Sequence, residues 1–184
     1  MPAADERQLI FDVQKGSHDA FRLLVERYMK QAYNIAFGFL HDHDDAEDVA
    51  QESFVRIYQS ITTFRGDAEF STWLYRIVMN LSLNRVQQKK SARSHTVQSF
   101  EDIGNFVGHD SVSAPEPDIR WHIEQALHQL QTLQRATVIL RHLNGLSTKQ
   151  VSGVLGCSEG TVKTHLHRGL KKMRAMLYFL HGEV

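Results

Sequence analysis

Apolar residues recur every three or four positions along most of this chain, and strict alternation is nearly absent. Over residues 20–39 they fall at Phe21, Leu24, Val25, Tyr28, Ala32, Ile35, Ala36 and Phe39, the 3.6-residue period of a helix with one buried face. The period continues over residues 42–61 through Val49, Phe54, Ile57 and Tyr58. A third long helix is predicted over 70–88, carrying Trp73, Leu74, Ile77, Val78, Leu81 and Leu83. A shorter one over 6–13 stops before Gly16, and Gly66 with Asp67 marks a loop over 64–69. Between 89 and 118 the periodicity lapses and Ser, Gly, Asp, Pro115 and Pro117 dominate. That composition predicts a flexible linker, assigned to 93–118. Two more helices are predicted over 119–143. The fold class is therefore all-α, with two small helical domains, 1–92 and 119–184, each barely large enough for a core of its own.

Residues 146–174 predict a helix-turn-helix. Ser147 caps the first helix, and Gln150 three residues on completes a capping box. Val151, Val154 and Leu155 supply its apolar face. Gly156 ends it where a positive φ is cheap, Cys157 fills the turn, and Ser158 caps the next helix. Val162, Leu166, Leu170 and Met173 form the buried stripe of that second helix, with Lys163, Thr164, His167, Arg168 and Lys171 opposite. Small polar groups near the N-terminus and cations further along suit a helix entering the major groove. A basic hairpin packed on another protein is the alternative. The agreement of caps, turn, stripe and face favours DNA.

Charge sharpens this picture. The chain has 21 Lys/Arg and 21 Asp/Glu, but residues 61–100 and 120–184 are basic, while 1–60 and 101–119 are acidic. Two basic blocks around an acidic stretch point to two nucleic-acid contacts and a linker with another task. The one cysteine cannot form an internal disulfide, and the N-terminus is acidic where a signal peptide would be basic. No apolar run approaches the ~20 residues that span a bilayer. Cytoplasmic localisation without membrane insertion is expected.

Within residues 44–54, Asp45, Asp48 and Glu52 lie along one helix face with Gln51 beside them. Such a face is either solvated or a docking surface, and no cleft partner supports a catalytic carboxylate pair. His41 and His43 flank it, but a His-X-His pair in a loop is weak grounds for zinc, so neither metal nor cofactor is expected. Further on, Phe64, Phe70, Trp73 and Tyr75 alternate with Arg65, Arg76 and Arg85. Rings that stack bases, interleaved with cations that track phosphates, suit single-stranded DNA. Phe64 and Phe70 are better placed to support the loop than to stack. Asn80 and Asn84, one turn apart, each offer a donor and acceptors.

Three stretches, DAEDVAQESFVRIY, FRGDAEFSTWLYRIVMN and LSTKQVSGVLGCSEGTVKTHLHRGLKKM, resemble the signatures of the extracytoplasmic-function (ECF, group 4) sigma factors of bacterial RNA polymerase. The resemblance implies a non-enzymatic promoter-specificity subunit. It implies that Asp45, Asp48, Gln51, Glu52, Phe54 and Arg56 contact the β′ clamp helices of core polymerase, and that the second domain meets the β flap. It assigns Phe64, Arg65, Phe70 and Ser71 of the loop, with Trp73, Arg76, Asn80 and Asn84 of the following helix, to the −10 element. Ser158, Thr161, Lys163, Thr164, His167, Arg168 and Lys171 would read the −35 element. An anti-sigma factor is a further implied partner. Two positions depart from the family pattern: His165 and Leu170 stand where it commonly has arginine. Gly169 in mid-helix should cost about 1 kcal/mol relative to alanine. The alternative is an ordinary helix-turn-helix regulator that binds a palindrome as a dimer. An enzyme is a distant third, since no nucleophile–base pair or phosphate loop appears.

Overall fold

The computed structural model describes residues 5–96 and 119–178. Among them every regular element is helical. Helices α1 (Glu6–Gln14), α2 (His18–Leu40), α3 (His43–Ser60) and α4 (Phe70–Thr96) form the first unit. A 3-10 turn, Ile61–Thr63, leads from α3 towards the loop before α4. Helices α5 (Ile119–His128), α6 (Thr132–Val138), α7 (Thr148–Leu155) and α8 (Glu159–Met176) form the second, with one π-helical turn, Ile139–Leu143, following α6. Helix α4 overruns its predicted end at Gln88 and continues to Thr96. The rest of the expected linker, 97–118, lies outside the described residues.

Local chemistry accounts for the helix ends. Ser17, Asp42, Ser147 and Ser158 each accept a backbone N–H of the first turn of the helix they precede. Both arms of the Ser147–Gln150 capping box are made, and Gly156 adopts φ +65°. Leu24, Ala32, Ile35, Ala36 and Phe39 of α2 are buried against Ala46, Val49, Ala50 and Ile57 of α3 and Leu74 and Val78 of α4. Leu127, Val138, Ile139, Leu140, Val151 and Val162 fill the second unit. These two sets are continuous: the second unit packs directly on α2 and α4. Two cores standing apart were the sequence expectation. One shared core is observed.

Gly169 has a steric reason. A Cβ there would lie 3.0 Å from Val138 Cγ2 and 3.4 Å from the Gln134 carbonyl oxygen, so α8 crosses α6 closely only because the side chain is absent. The propensity cost of glycine is thus offset by this close approach. Gly169→Leu should destabilise the second unit by about 1–3 kcal/mol through overpacking, although it removes a helix-disfavouring residue. A raised midpoint in thermal unfolding would contradict that packing.

Candidate nucleic-acid interface

The 64–69 loop is held from beneath. Phe70 is only 1% exposed and sits in the core, with Phe64 edge-on to it at 5.8 Å. Trp73 lies 5.1 Å from Phe64 and is half-buried. Tyr75 is buried, and its hydroxyl donates to Gln31. Phe70 is therefore a support, and its place among the −10 contacts is corrected: its ring faces inward. Phe64 and Trp73 instead line a cavity of about 220 Å³ with Thr63, Arg65, Asp67, Thr72 and Arg76. Arg65, Arg76, Asn80 and Asn84 are exposed, and Ser71 is half-exposed. Two rings inclined at 34°, a rim carrying Arg65, Arg76 and Asp67, and a neighbouring pair of amides can receive an unstacked base.

On α8 the expected outward face is realised. Lys163, Thr164, His167, Arg168 and Lys171 are exposed. Ser158 Oγ accepts Thr161 N–H at 3.1 Å and lies 2.9 Å from the Thr161 hydroxyl, so both residues are committed to the helix start. His165 is half-buried with Nδ1 enclosed, and Leu170 packs against the core. The two departures thus sit on the inward flank of the helix, away from the exposed cations.

The acidic face of α3 divides in two. Asp45 is only 9% exposed, bonded to Arg85 at 3.2 Å and to Lys89. The Asp45 carboxylate, foremost, holds the Lys89 ammonium above the ordinary lysine range. Asp45 ties α3 to α4 and is not presented to a partner, and Phe54, 4% exposed, is likewise a core residue. Both leave the expected polymerase-contact set, because the periodicity of α3 turns them inward. Asp48, Gln51 and Arg56 are exposed and Glu52 is half-exposed. Arg56 donates to Glu52 at 2.7 and 3.0 Å. Val55, 55% exposed, falls on the same face and was missed. Flanked by Phe54 and Arg56, Val55 reads in the sequence as one more apolar position of the helix.

The joint between the units was not anticipated. At one end, α7 lies on α4. Arg76 donates to the Gly153 carbonyl, Gln150 donates to Glu69 at 2.7 Å, and a Cβ on Gly153 would come within 3.0 Å of Thr72 Cγ2. At the other end, Arg135 is buried and donates to the Gly38 and Phe39 carbonyls at the C-terminus of α2. A Cβ on Gly38 would lie 2.9 Å from Ile139 Cγ2. Arg135 therefore satisfies carbonyls that α2 leaves open and complements its dipole. Arg76, expected at the −10 element, and its neighbour Thr72 are both engaged by the second unit.

His41 completes the joint. It ends α2 with φ +51°, and its ring lies 4.2 Å from that of His128. Burial first, then His128 and Arg135, pushes His41 down to about 3, and burial with Arg135 pushes His128 down to about 4. The groups facing His41 are His128 and Glu124 of α5, Arg135 of α6 and, across the same cavity, Lys89 of α4 and Asp42. The Glu124 carboxylate lies 3.9 Å from His41 Nδ1. Both imidazoles are held below their ordinary value, so the joint is fully favoured above about pH 6.5 and weakens as pH falls from there. His41 alone should shift the closed-to-open ratio by up to about tenfold per pH unit below 6.5, with a smaller share from the more exposed His128. The hydrodynamic radius should therefore grow between pH 7 and 5, and a His41→Gln chain should lose most of that dependence. A radius flat over this range would remove the histidines from the joint.

Among the described residues no helix is long and apolar enough to cross a membrane, and no cluster of three His, Cys, Asp or Glu is arranged to hold a metal. The sigma-70 region 2 family model matches residues 24–92, and the sigma-70 region 4 model matches residues 120–173. The chain is 33% identical over 171 residues to the RNA polymerase sigma-H factor of Pseudomonas aeruginosa, which spans 89% of both chains. It is 32% identical over 181 residues to the ECF RNA polymerase sigma factor SigW of Bacillus subtilis, covering 93% of this chain and 96% of that one. Its fold is similar to CnrH in complex with the cytosolic domain of CnrY, with TM-score 0.69 at 23% identity over 97% and 99% of the two chains. It is also similar to the sigma factor RpoE in complex with the anti-sigma factor NepR from Bartonella quintana, with TM-score 0.68 at 20% identity over 86% and 96%.

Proposed function

The chain belongs to the ECF group of the sigma-70 family, and from that premise we propose which of its surfaces meet polymerase and promoter. It is a transcription initiation factor that directs RNA polymerase to promoters. Residues 1–92 bind core polymerase and the −10 element, 93–118 are a linker, and 119–184 read the −35 element. The role is non-catalytic and cytoplasmic: binding energy is used to position polymerase and to hold a strand once it separates.

The observation that carries this division is the cavity of about 220 Å³ between Phe64, Trp73 and Arg76, beside the exposed Asn80 and Asn84. A base swung out of the −10 duplex enters it, stacks on the rings, and leaves its backbone to Arg65 and Arg76. Asn80 and Asn84 contact neighbouring bases. Capturing one or two bases offsets only a few kcal/mol of unstacking, so polymerase must drive the opening. Asp48, Gln51, Glu52, Val55 and Arg56 form the surface for the β′ clamp helices, and the second unit meets the β flap. Lys163, Thr164, His167, Arg168 and Lys171 lie along the −35 major groove, with Ser158 and Thr161 fixing the helix start. Because Arg76 is engaged by Gly153 in the closed arrangement, the DNA-bound form has that contact broken. An anti-sigma factor that favours the closed arrangement would restrain the chain.

Arg168→Ala should weaken −35 binding by about 1–3 kcal/mol if the guanidinium reads a base edge, and by less if it meets only phosphate. Competition binding of the polymerase complex to promoter duplexes measures it, and unchanged affinity removes α8 from the reading role. The division itself is tested with forked promoter DNA. The chain alone should bind it weakly, core polymerase should make binding strong, and a −10 strand on its own should compete. Equal binding with and without core polymerase would overturn the assignment.

A further inference from the structure

Gln14 is the last residue of α1 and precedes the region 2 match at 24–92. Its side-chain amide donates to two carbonyls at once, Ile61 at 3.0 Å and Phe64 at 2.9 Å. Those carbonyls bracket the 3-10 turn, Ile61–Thr63, which itself closes through Phe64 N–H to Ile61 O at 3.1 Å. Both amide hydrogens of one glutamine are thus used to hold the stretch that delivers Phe64 and Arg65 to the −10 cavity. The anchor is fixed from behind. Leu9, Ile10 and Val13 bury α1 on α2, and Tyr28 on α2 donates to Glu6 at the other end of α1. The loop beyond is exposed over residues 65–69, and its far end is held separately, where Glu69 accepts from Gln150 of α7.

We propose that Gln14 is a positioning residue for −10 base selection: its amide bonds to the Ile61 and Phe64 carbonyls set the geometry of the wall that receives the unstacked base. The proposal rests on the assignment of the Phe64–Trp73–Arg76 cavity to that base. Gln14 does not touch DNA. It acts by holding Phe64 and the start of the loop in one conformation, so that the cavity discriminates between bases instead of accepting any ring. A site held within a fraction of an ångström discriminates, and a loose one stacks indifferently.

The test uses the full chain assembled with core polymerase. The probes are −10 single strands carrying each of the four bases at the pocketed position, with 2-aminopurine fluorescence there as a second readout. Wild type should prefer one base by about tenfold or more. Gln14→Glu keeps the shape but removes both donors, and Gln14→Met removes them without adding charge. Both should reduce the preference to about twofold and raise the 2-aminopurine signal as the base loosens, with −35 duplex affinity and core association unchanged. Gln14→Lys, which again offers donors, should recover part of the preference. If Gln14→Glu and Gln14→Met discriminate like wild type, Gln14 has no positioning role. If −10, −35 and core binding fall together, Gln14 serves stability alone and the proposal fails. A wild-type complex indifferent to the base would overturn the cavity assignment itself, and the proposal with it.

Discussion

Replacing Arg135 with alanine should release the second unit from the first. The guanidinium is buried, donates to the carbonyls of Gly38 and Phe39, and lies over the Phe39 ring at 5.7 Å. Burial holds it down to about 10, still charged at neutral pH. Removing a charged donor from two acceptors costs about 1.5–3 kcal/mol, which shifts the closed-to-open ratio about 10- to 150-fold. The free chain should become more extended by small-angle scattering, and its affinity for −10 single strands should rise by about tenfold as Arg76 is freed from Gly153. Gly38→Ala offers a check of opposite local sign. It stabilises α2 by up to about 1 kcal/mol of propensity yet drives a methyl into Ile139. Extension with a stabilised α2 points to the joint. An unchanged radius and unchanged strand affinity in both variants would mean that the contact does not restrain the chain.

Charge reversal at Asp48 should abolish association with core polymerase. Its side chain is 67% exposed and its ion pair with Arg85, at 4.0 Å, is long and solvated, so Asp48→Lys should destabilise the fold by no more than about 1 kcal/mol. A basic partner surface would lose an attraction and gain a repulsion, which at the centre of an interface is worth about 2–4 kcal/mol or a 30- to 1,000-fold weaker complex. Asp45→Lys must behave differently. It places a cation beside Arg85 and Lys89 inside the α3–α4 contact and should unfold the first unit. Pull-down against core polymerase, paired with thermal melts, separates the two. Normal association of a folded Asp48→Lys chain would remove α3 from the polymerase surface.

These contrasts show where sequence reading stops. Helices, caps and the turn at Gly156 are legible because each depends on neighbours within four residues. The helix-turn-helix face is legible for the same reason. A motif, however, names positions without saying which way they turn. Asp45, Phe54 and Phe70 match the family pattern and are turned inward by packing, whereas Val55, in the same stretch as Asp45 and Phe54, faces out. The joint is illegible because its partners are remote in sequence: Arg135 reaches Gly38 across 97 positions, and Arg76 reaches Gly153 across 77. Gln14 escaped notice because a polar residue at a helix end ordinarily faces water. Gly169, a defect by propensity, becomes a requirement once α6 lies against it.

Run-off transcription with purified core polymerase on genomic fragments tests the central claim most directly. Core polymerase with the wild-type chain should start transcripts at a small set of sites sharing a two-part element. Asp48→Lys should abolish them, and Asn80→Ala should change which −10 sequences are used. No transcript above core polymerase alone, together with tight binding of the chain by itself to a palindromic duplex as a dimer, would contradict the assignment and identify an ordinary regulator.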